Sequence, residues 1–139
     1  FSGQVSGESI IEKNQVEIKE IFEQENIEEI LNKTYSLSQN GSEFSKNTEH
    51  ELKGKSPTSL KITFKQIHMA TEMSLRDALI MEYRMVQRCQ ASGDFYEGVR
   101  AMLVDKDRNP QWKPSNLDKV DEIWVNHFFE PLHEKDLKI

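Results

Sequence analysis

Ser56-Pro57-Thr58-Ser59-Leu60-Lys61-Ile62-Thr63 places a capping hydroxyl directly before a proline at a first helical position. The missing N–H of proline costs nothing there, because the first turn of a helix has no intrahelical acceptor for it. A helix therefore starts at Pro57 and its apolar spacing carries it to about residue 70. Toward the C-terminus, Ser74 caps a longer helix bearing Leu75, Ala78, Leu79, Met81, Tyr83, Val86 and Cys89, and Gly93 is expected to close it in the left-handed conformation. Asp94-Phe95-Tyr96-Glu97 reads as a capping box with an acid at each end, opening a helix with Phe95, Val99, Met102 and Leu103 turned inward. Asp107-Arg108-Asn109-Pro110 breaks that helix. The stretch through Trp112-Lys113-Pro114 is extended, since a residue before proline is pushed out of the helical region. A last helix near 117–129 stops at Pro131, and 136–139 is a tail.

Toward the N-terminus, Ile10, Ile11, Asn14, Ile18, Ile21 and Phe22 trace one stripe of a helix over about 9–24. Asn26 then caps a short helix whose apolar face is Ile27, Ile30, Leu31 and Tyr35, with acids suited to the positive helix end. Residues 36–42, with Gly41, are a loop by composition, and a helix over 43–53 burying little beyond Phe44 and Leu52 ends at Gly54. No alternation of the strand kind is sustained and no repeat is present. The fold class is therefore all-α, with five or six helices. Its organisation is an acidic helical segment and loop over 1–42 followed by a helical region over 43–139, one structural unit overall.

The apolar share of 36% is low for 139 residues, so the core is thin. With 30% charged residues and a mean hydropathy of −0.70, no window approaches the roughly 20 apolar residues of a membrane-spanning helix, and no membrane partner is expected. Residues 1–55 hold 11 acids and 6 bases, residues 56–139 hold 13 and 12. This acidic balance lacks the cationic footprint that phosphate neutralisation requires, so nucleic acid is not an expected partner either. The chain opens on Phe1-Ser2-Gly3-Gln4 with neither an initiating Met nor the basic and apolar regions of a signal peptide, and is expected to be a processed product or a piece of something longer. A single cysteine excludes an internal disulfide and suits a reducing compartment, and the triplets Asn32-Lys33-Thr34 and Asn40-Gly41-Ser42 are read as chance sequons.

No catalytic constellation emerges from the residues themselves. Cys89, on an apolar face and without a partner base, reads as a small core residue. His127 and His133 do not share a helix face, so no metal site is expected. Glu8, Glu12, Glu28-Glu29 and Asp121-Glu122 complement helix dipoles rather than form an acid–base pair. Met69, Met73, Met81, Met85 and Met102 read as core filler before a plastic binding surface. Trp112, inside the Pro110–Pro114 loop, is expected to cover an apolar surface. Lys106-Asp107-Arg108 reads as a solvated helix end, with contact to an anion as the sharper alternative.

Four motifs in order carry a specific resemblance: Ser56-Pro57-Thr58-Ser59-Leu60-Lys61-Ile62-Thr63; Met81-Glu82-Tyr83-Arg84; Asp94-Phe95-Tyr96-Glu97-Gly98-Val99-Arg100-Ala101; and Asp105-Lys106-Asp107 with Pro110, Trp112, Lys113 and Pro114. Over about 55–114 the chain resembles the C-terminal region of the 3-hydroxyisobutyryl-CoA hydrolase family, a branch of the crotonase, or enoyl-CoA hydratase/isomerase, superfamily. The resemblance implies a mitochondrial matrix enzyme of valine breakdown that cleaves 3-hydroxyisobutyryl-CoA to 3-hydroxyisobutyrate and CoA, with CoA part of the substrate and no separate cofactor. It also implies an N-terminal crotonase core that supplies an oxyanion hole and catalytic acids and is absent from this sequence, so no catalytic residue falls on this chain and the chain alone is expected to be inactive. Helical regions of this kind cover the active site and contribute subunit contacts, which implies the missing core, the acyl-CoA substrate and a homo-oligomer as partners. In hydratases a lysine after the Glu-Gly helix approaches the nucleotide of CoA. Lys106 is the nearest counterpart, one residue further from the glycine than in that pattern, with Arg108 as the second candidate. The alternative expectations are a non-catalytic helical scaffold or assembly subunit derived from the same family, and an independent interaction domain using the Met and Trp surface.

Overall fold

The computed structural model describes residues 9–139, and the expectation for Glu8 lies outside them. Among the described residues the regular structure is all helical, with eight α-helical segments, six of them seven residues or longer, and no strand. None is long and apolar enough to cross a membrane. The chain divides into two compact units, one up to Lys53 and one over Gly54–Ile139.

In the first unit, α1 (Ile10–Lys13), α2 (Gln15–Phe22), α3 (Ile27–Gln39) and α4 (Glu43–Lys53) follow one another. The single helix expected over 9–24 is interrupted at Asn14, whose backbone leaves the helical region and whose side-chain amide donates to the Ile10 carbonyl at 2.8 Å. An asparagine can satisfy a backbone carbonyl locally, which makes it a point of exit from a helix. Only Ile21 of the expected stripe is buried; Ile10, Ile11 and Phe22 face solvent. Asn26 caps α3 as expected, its side-chain Oδ1 accepting from the Glu29 N–H at 2.8 Å.

The expected loop at 36–42 is a correction, because α3 continues to Gln39. Its composition suggests a turn, but the buried Ser38 donates to Glu49 of α4 at 2.6 Å, and Thr34 and Ser45 are fully buried as well. Small hydroxyl side chains let α3 and α4 approach, and packing between them outweighs weak local preference. Thr34 returns its hydroxyl to the Ile30 carbonyl at 2.6 Å, while Ser42 and Ser45 both donate to Glu17. The helix over 43–53 consequently packs with the first unit, whereas a boundary at 42/43 would have grouped it with the second.

The second unit holds α5 (Pro57–Ala70), α6 (Leu75–Ala91), α7 (Gly93–Val99) continuing into a π-type turn (Arg100–Val104), and α8 (Glu122–His127). Ser56 and Ser74 cap α5 and α6 as expected, accepting from Ser59 at 3.1 Å and Asp77 at 3.2 Å. The core is Ile62 of α5, Met81 and Met85 of α6, and Val120, Val125 and Phe128, with Met69, Met73, Cys89 and Phe129 packed against it. Four of the five methionines thus serve the core. The stripe expected on α6 is rotated: Leu75 is 77% exposed, and Leu79 and Val86 are exposed too.

Three further expectations are corrected. Gly93 is not left-handed; Ser92 sits in the extended region and Gly93 begins α7, while the one positive-φ glycine of the described residues is Gly41. Met102 and Leu103, expected inward, are 56% and 67% exposed, because the wider π-type turn brings Ala101 inside instead, and Phe95, before that turn, is exposed as well. The helix expected over 117–129 is a short 3-10 turn at Leu117–Lys119 and α8, separated by the buried, extended Val120; Asp121 caps α8 through the Trp124 N–H at 2.7 Å.

Phe128 is 1% exposed at the centre of the second unit's core. Phe128→Ala is expected to cost about 3–5 kcal/mol of stability, read as a lower urea midpoint without a change in helical content of the native state.

Candidate functional site

The residues of the Asp94–Ala101 motif and of the loop after it converge in the second unit. Asp94 was expected to start a capping box with Glu97, but no such box forms and α7 has no side-chain cap. Both acids are taken by other partners. Asp94 accepts from the Ser56 hydroxyl at 2.6 Å and from the Lys113 N–H at 2.9 Å, which joins the start of α5, the start of α7 and the loop at Lys113. Ser56 is itself buried and accepts from Ser59, so one hydroxyl caps α5 and secures Asp94 together.

Glu97 forms a bidentate pair with Arg100, at 2.9 Å to Nε and 2.8 Å to Nη2, and also accepts from the Gln111 N–H at 2.6 Å. These contacts, the Arg100 pair first, hold its carboxyl down from the usual 4.5 to about 2. The remaining faces of the Arg100 guanidinium go to Asp105 and Asp107, both at 2.6 Å, and to the Asn109 carbonyl at 3.2 Å. Such a set raises the Arg100 pKa and depresses that of Asp107, the Arg100 hydrogen bond being the largest cause in the latter. Asp107 accepts in addition from the Asn109 N–H at 2.9 Å. A planar fork with five donors suits this task where a lysine ammonium would not. Arg100 lies inside the Asp94–Ala101 motif with no role expected from the sequence; the acids at 97, 105 and 107 around it are the signal that could have found it.

Trp112 covers a surface of its own unit. Its ring lies against Gly98, where an added Cβ would meet the indole edge at 3.4 Å, and its Nε1–H donates to the Gly54 carbonyl at 3.0 Å. The loop continues through a cis peptide bond between Lys113 and Pro114.

Lys106 and Arg108, the two candidate ligand contacts, stand exposed in the loop between Arg100 and Trp112. Both adopt left-handed backbone conformations, with φ of 57° and 54°, which cost an L-residue about 1–2 kcal/mol each. The Arg108 N–H donates to the Ala101 carbonyl at 3.1 Å, yet neither side chain has a partner among the described residues. The order of the loop is thus acid, base, acid, base, with both acids drawn onto Arg100 and both bases left to solvent.

The other polar candidates do not converge with this loop. Cys89 is half-buried against the core and burial pushes its thiol up, away from a reactive thiolate. His127 pairs with Glu130 at 2.9 Å and stacks on Trp124, and among the described residues no group of three His, Cys, Asp or Glu side chains is placed to hold a metal. Glu12 closes a capping box with Ser9. Asp136, in the expected tail, accepts from the Arg84 guanidinium at Nε, at 2.7 Å, and at Nη2, which ties Asp136 to α6.

Residues 2–129 match the sequence profile of the enoyl-CoA hydratase/isomerase family. The chain is 42% identical over 132 residues to the mitochondrial 3-hydroxyisobutyryl-CoA hydrolase of Gallus gallus, which covers 95% of this chain and 34% of that protein. It is 41% identical over 129 residues to the protein of the same name from Homo sapiens, covering 93% and 33%. Among solved structures, a carnitinyl-CoA dehydratase from Mycobacterium thermoresistibile is similar with a TM-score of 0.86 and 26% identity, over 97% of this chain and 38% of that one. An enoyl-CoA hydratase from Rhodobacter sphaeroides 2.4.1 is similar with the same score and identity, over 100% and 40%. The chain spans about one third of the length of the curated relatives it matches.

Because the Glu97 pKa is lowered on folding, its contribution to stability is complete above the unfolded value of 4.5 and is lost as pH falls through about 2. Glu97→Gln is expected to melt at a lower temperature than the parent at neutral pH and to show a flatter dependence between pH 4.5 and 2, measured by thermal unfolding across that range.

Proposed function

Because the chain belongs to the enoyl-CoA hydratase/isomerase family, we propose that it forms the helical C-terminal region of a 3-hydroxyisobutyryl-CoA hydrolase-like enzyme of the mitochondrial matrix. The observation that carries this reading is the 42% identity, sustained over 95% of the chain, to a mitochondrial protein named for that hydrolysis. In this reading the whole enzyme adds water across the thioester of 3-hydroxyisobutyryl-CoA and releases 3-hydroxyisobutyrate and CoA, a step of valine breakdown. The acids and the oxyanion-hole donors belong to the crotonase core of the same protein; one preorganised donor aimed at the developing oxyanion is worth about 2.7–4 kcal/mol. The chain by itself is inactive, and the reading requires no cofactor beyond the CoA that the substrate carries.

Lys106, with Arg108 beside it, contacts the nucleotide phosphates of the CoA ester. Their support is local: both are cationic, exposed and without a protein partner among the described residues, on a loop otherwise tied down by Arg100. The outward-facing Met102, Leu103 and Val104 support a surface covered by the core or by a further subunit, since a run of three exposed apolar side chains is poorly placed in water.

The test uses the complete enzyme that carries this region and measures thiol release from 3-hydroxyisobutyryl-CoA. The complete enzyme is expected to hydrolyse it and residues 1–139 alone are not. Lys106→Ala in the complete enzyme is expected to raise KM for the ester roughly tenfold, the loss of about 1.4 kcal/mol from one charged contact, with kcat little changed. An unaltered KM removes Lys106 from the phosphate contact.

A further inference from the structure

We propose that Arg100 is the positioning residue of the 105–109 loop, engaging the carboxylates of Asp105 and Asp107 in its own ion pairs so that Lys106 and Arg108 are left to meet a polyphosphate. The inference rests on the reading that Lys106 and Arg108 face the nucleotide phosphates of a CoA ester.

The sequence of the loop is unfavourable for an anion, because each base has an acid next to it and the four side chains of 105–108 sum to no net charge. An extended or mobile loop would let Asp105 and Asp107 pair with Lys106 and Arg108 or stand against an approaching phosphate. The structure separates them. One guanidinium takes both carboxylates at 2.6 Å and also fixes the Asn109 carbonyl, while Glu97 anchors the same guanidinium from the other side by two bonds. The left-handed conformations at Lys106 and Arg108 fit this alternation, since neither residue needs that backbone for a side-chain contact of its own. Arg100 touches no substrate in this scheme and acts through its neighbours. A lysine in its place would retain the charge and could not hold Glu97, Asp105 and Asp107 in one plane-directed set.

The experiment compares two thioesters of the same acid in the complete enzyme, one of CoA and one of pantetheine, which has the same reacting end and no phosphates. Arg100→Gln is expected to raise KM for the CoA ester by about tenfold with kcat and the pantetheine-ester KM unchanged, and Arg100→Lys to give the same split at smaller size. Adding Asp105→Asn and Asp107→Asn to Arg100→Gln is expected to recover most of the lost affinity, because the freed carboxylates are then uncharged. Equal loss for both esters, or no rescue by the two Asn substitutions, overturns the proposal in favour of a purely structural arginine. No change in Arg100→Gln while Lys106→Ala/Arg108→Ala raises KM for the CoA ester overturns it and leaves the phosphate contact standing. No change in Lys106→Ala/Arg108→Ala either overturns the phosphate contact itself, and the role of Arg100 with it.

Discussion

The bidentate pair between Glu97 and Arg100 is the interaction on which the 105–111 loop of the second unit depends. It spans less than one turn of α7 and the π-type turn, so it is short-range and inexpensive in chain entropy. Everything beyond it is long-range. Once Glu97 orients the guanidinium, its free donors collect Asp105, Asp107 and the Asn109 carbonyl, and the second lone pair of Glu97 collects the Gln111 N–H. A loop of irregular backbone thereby acquires fixed points at nearly every residue, and its two left-handed residues are held in conformations that a free chain would leave.

Around that pair, two other constraints place the loop relative to the core. Asp94 and the buried Ser56 hydroxyl join the N-termini of α7 and α5, and Trp112 closes over Gly98 while its indole N–H reaches the Gly54 carbonyl. The indole lies so close to Gly98 that a Cβ added there would already touch the ring, at 3.4 Å. The apolar core lies elsewhere in the unit, built on Met81, Met85, Val120, Val125 and Phe128. The division of labour is physical: burial supplies stability without direction, and the charged hydrogen bonds supply direction with modest net stability.

The low apolar content forecast a thin core, and the structure locates the consequence. Apolar side chains that helix periodicity would have turned inward are exposed on α6, α7 and the π-type turn, including Leu75, Leu79, Met102 and Leu103. Periodicity reports that a face is apolar and does not report what covers it. The π-type turn adds a second reason, since it advances the chain by more than an α-turn and shifts every later side chain around the axis, so that Ala101 takes the inward place. At 36–39 the error runs the other way: serines and glutamine read as loop because the contact that makes them helical, Ser38 on Glu49, comes from another helix.

What was legible from the amino-acid order was whatever is settled within three or four residues. The helix starts at Asn26, Ser56 and Ser74 are capping bonds between a side chain and a backbone N–H three positions on, and such bonds need no tertiary partner. The all-α class followed from these and from apolar spacing, and the order of four motifs was enough for the family. Tertiary structure decided which acid meets which donor. Asp94 and Glu97 have the spacing of a capping box, yet Asp94 goes to Ser56 and Lys113, 38 and 19 residues away, and Glu97 goes to Arg100 and to the Gln111 N–H 14 residues on; a charge-assisted bidentate pair is stronger than a bond to a helix-end N–H. Local order therefore determined where helices begin, and only the folded chain determined that Asp105 and Asp107 belong to Arg100 and that Lys106 and Arg108 belong to no group among the described residues.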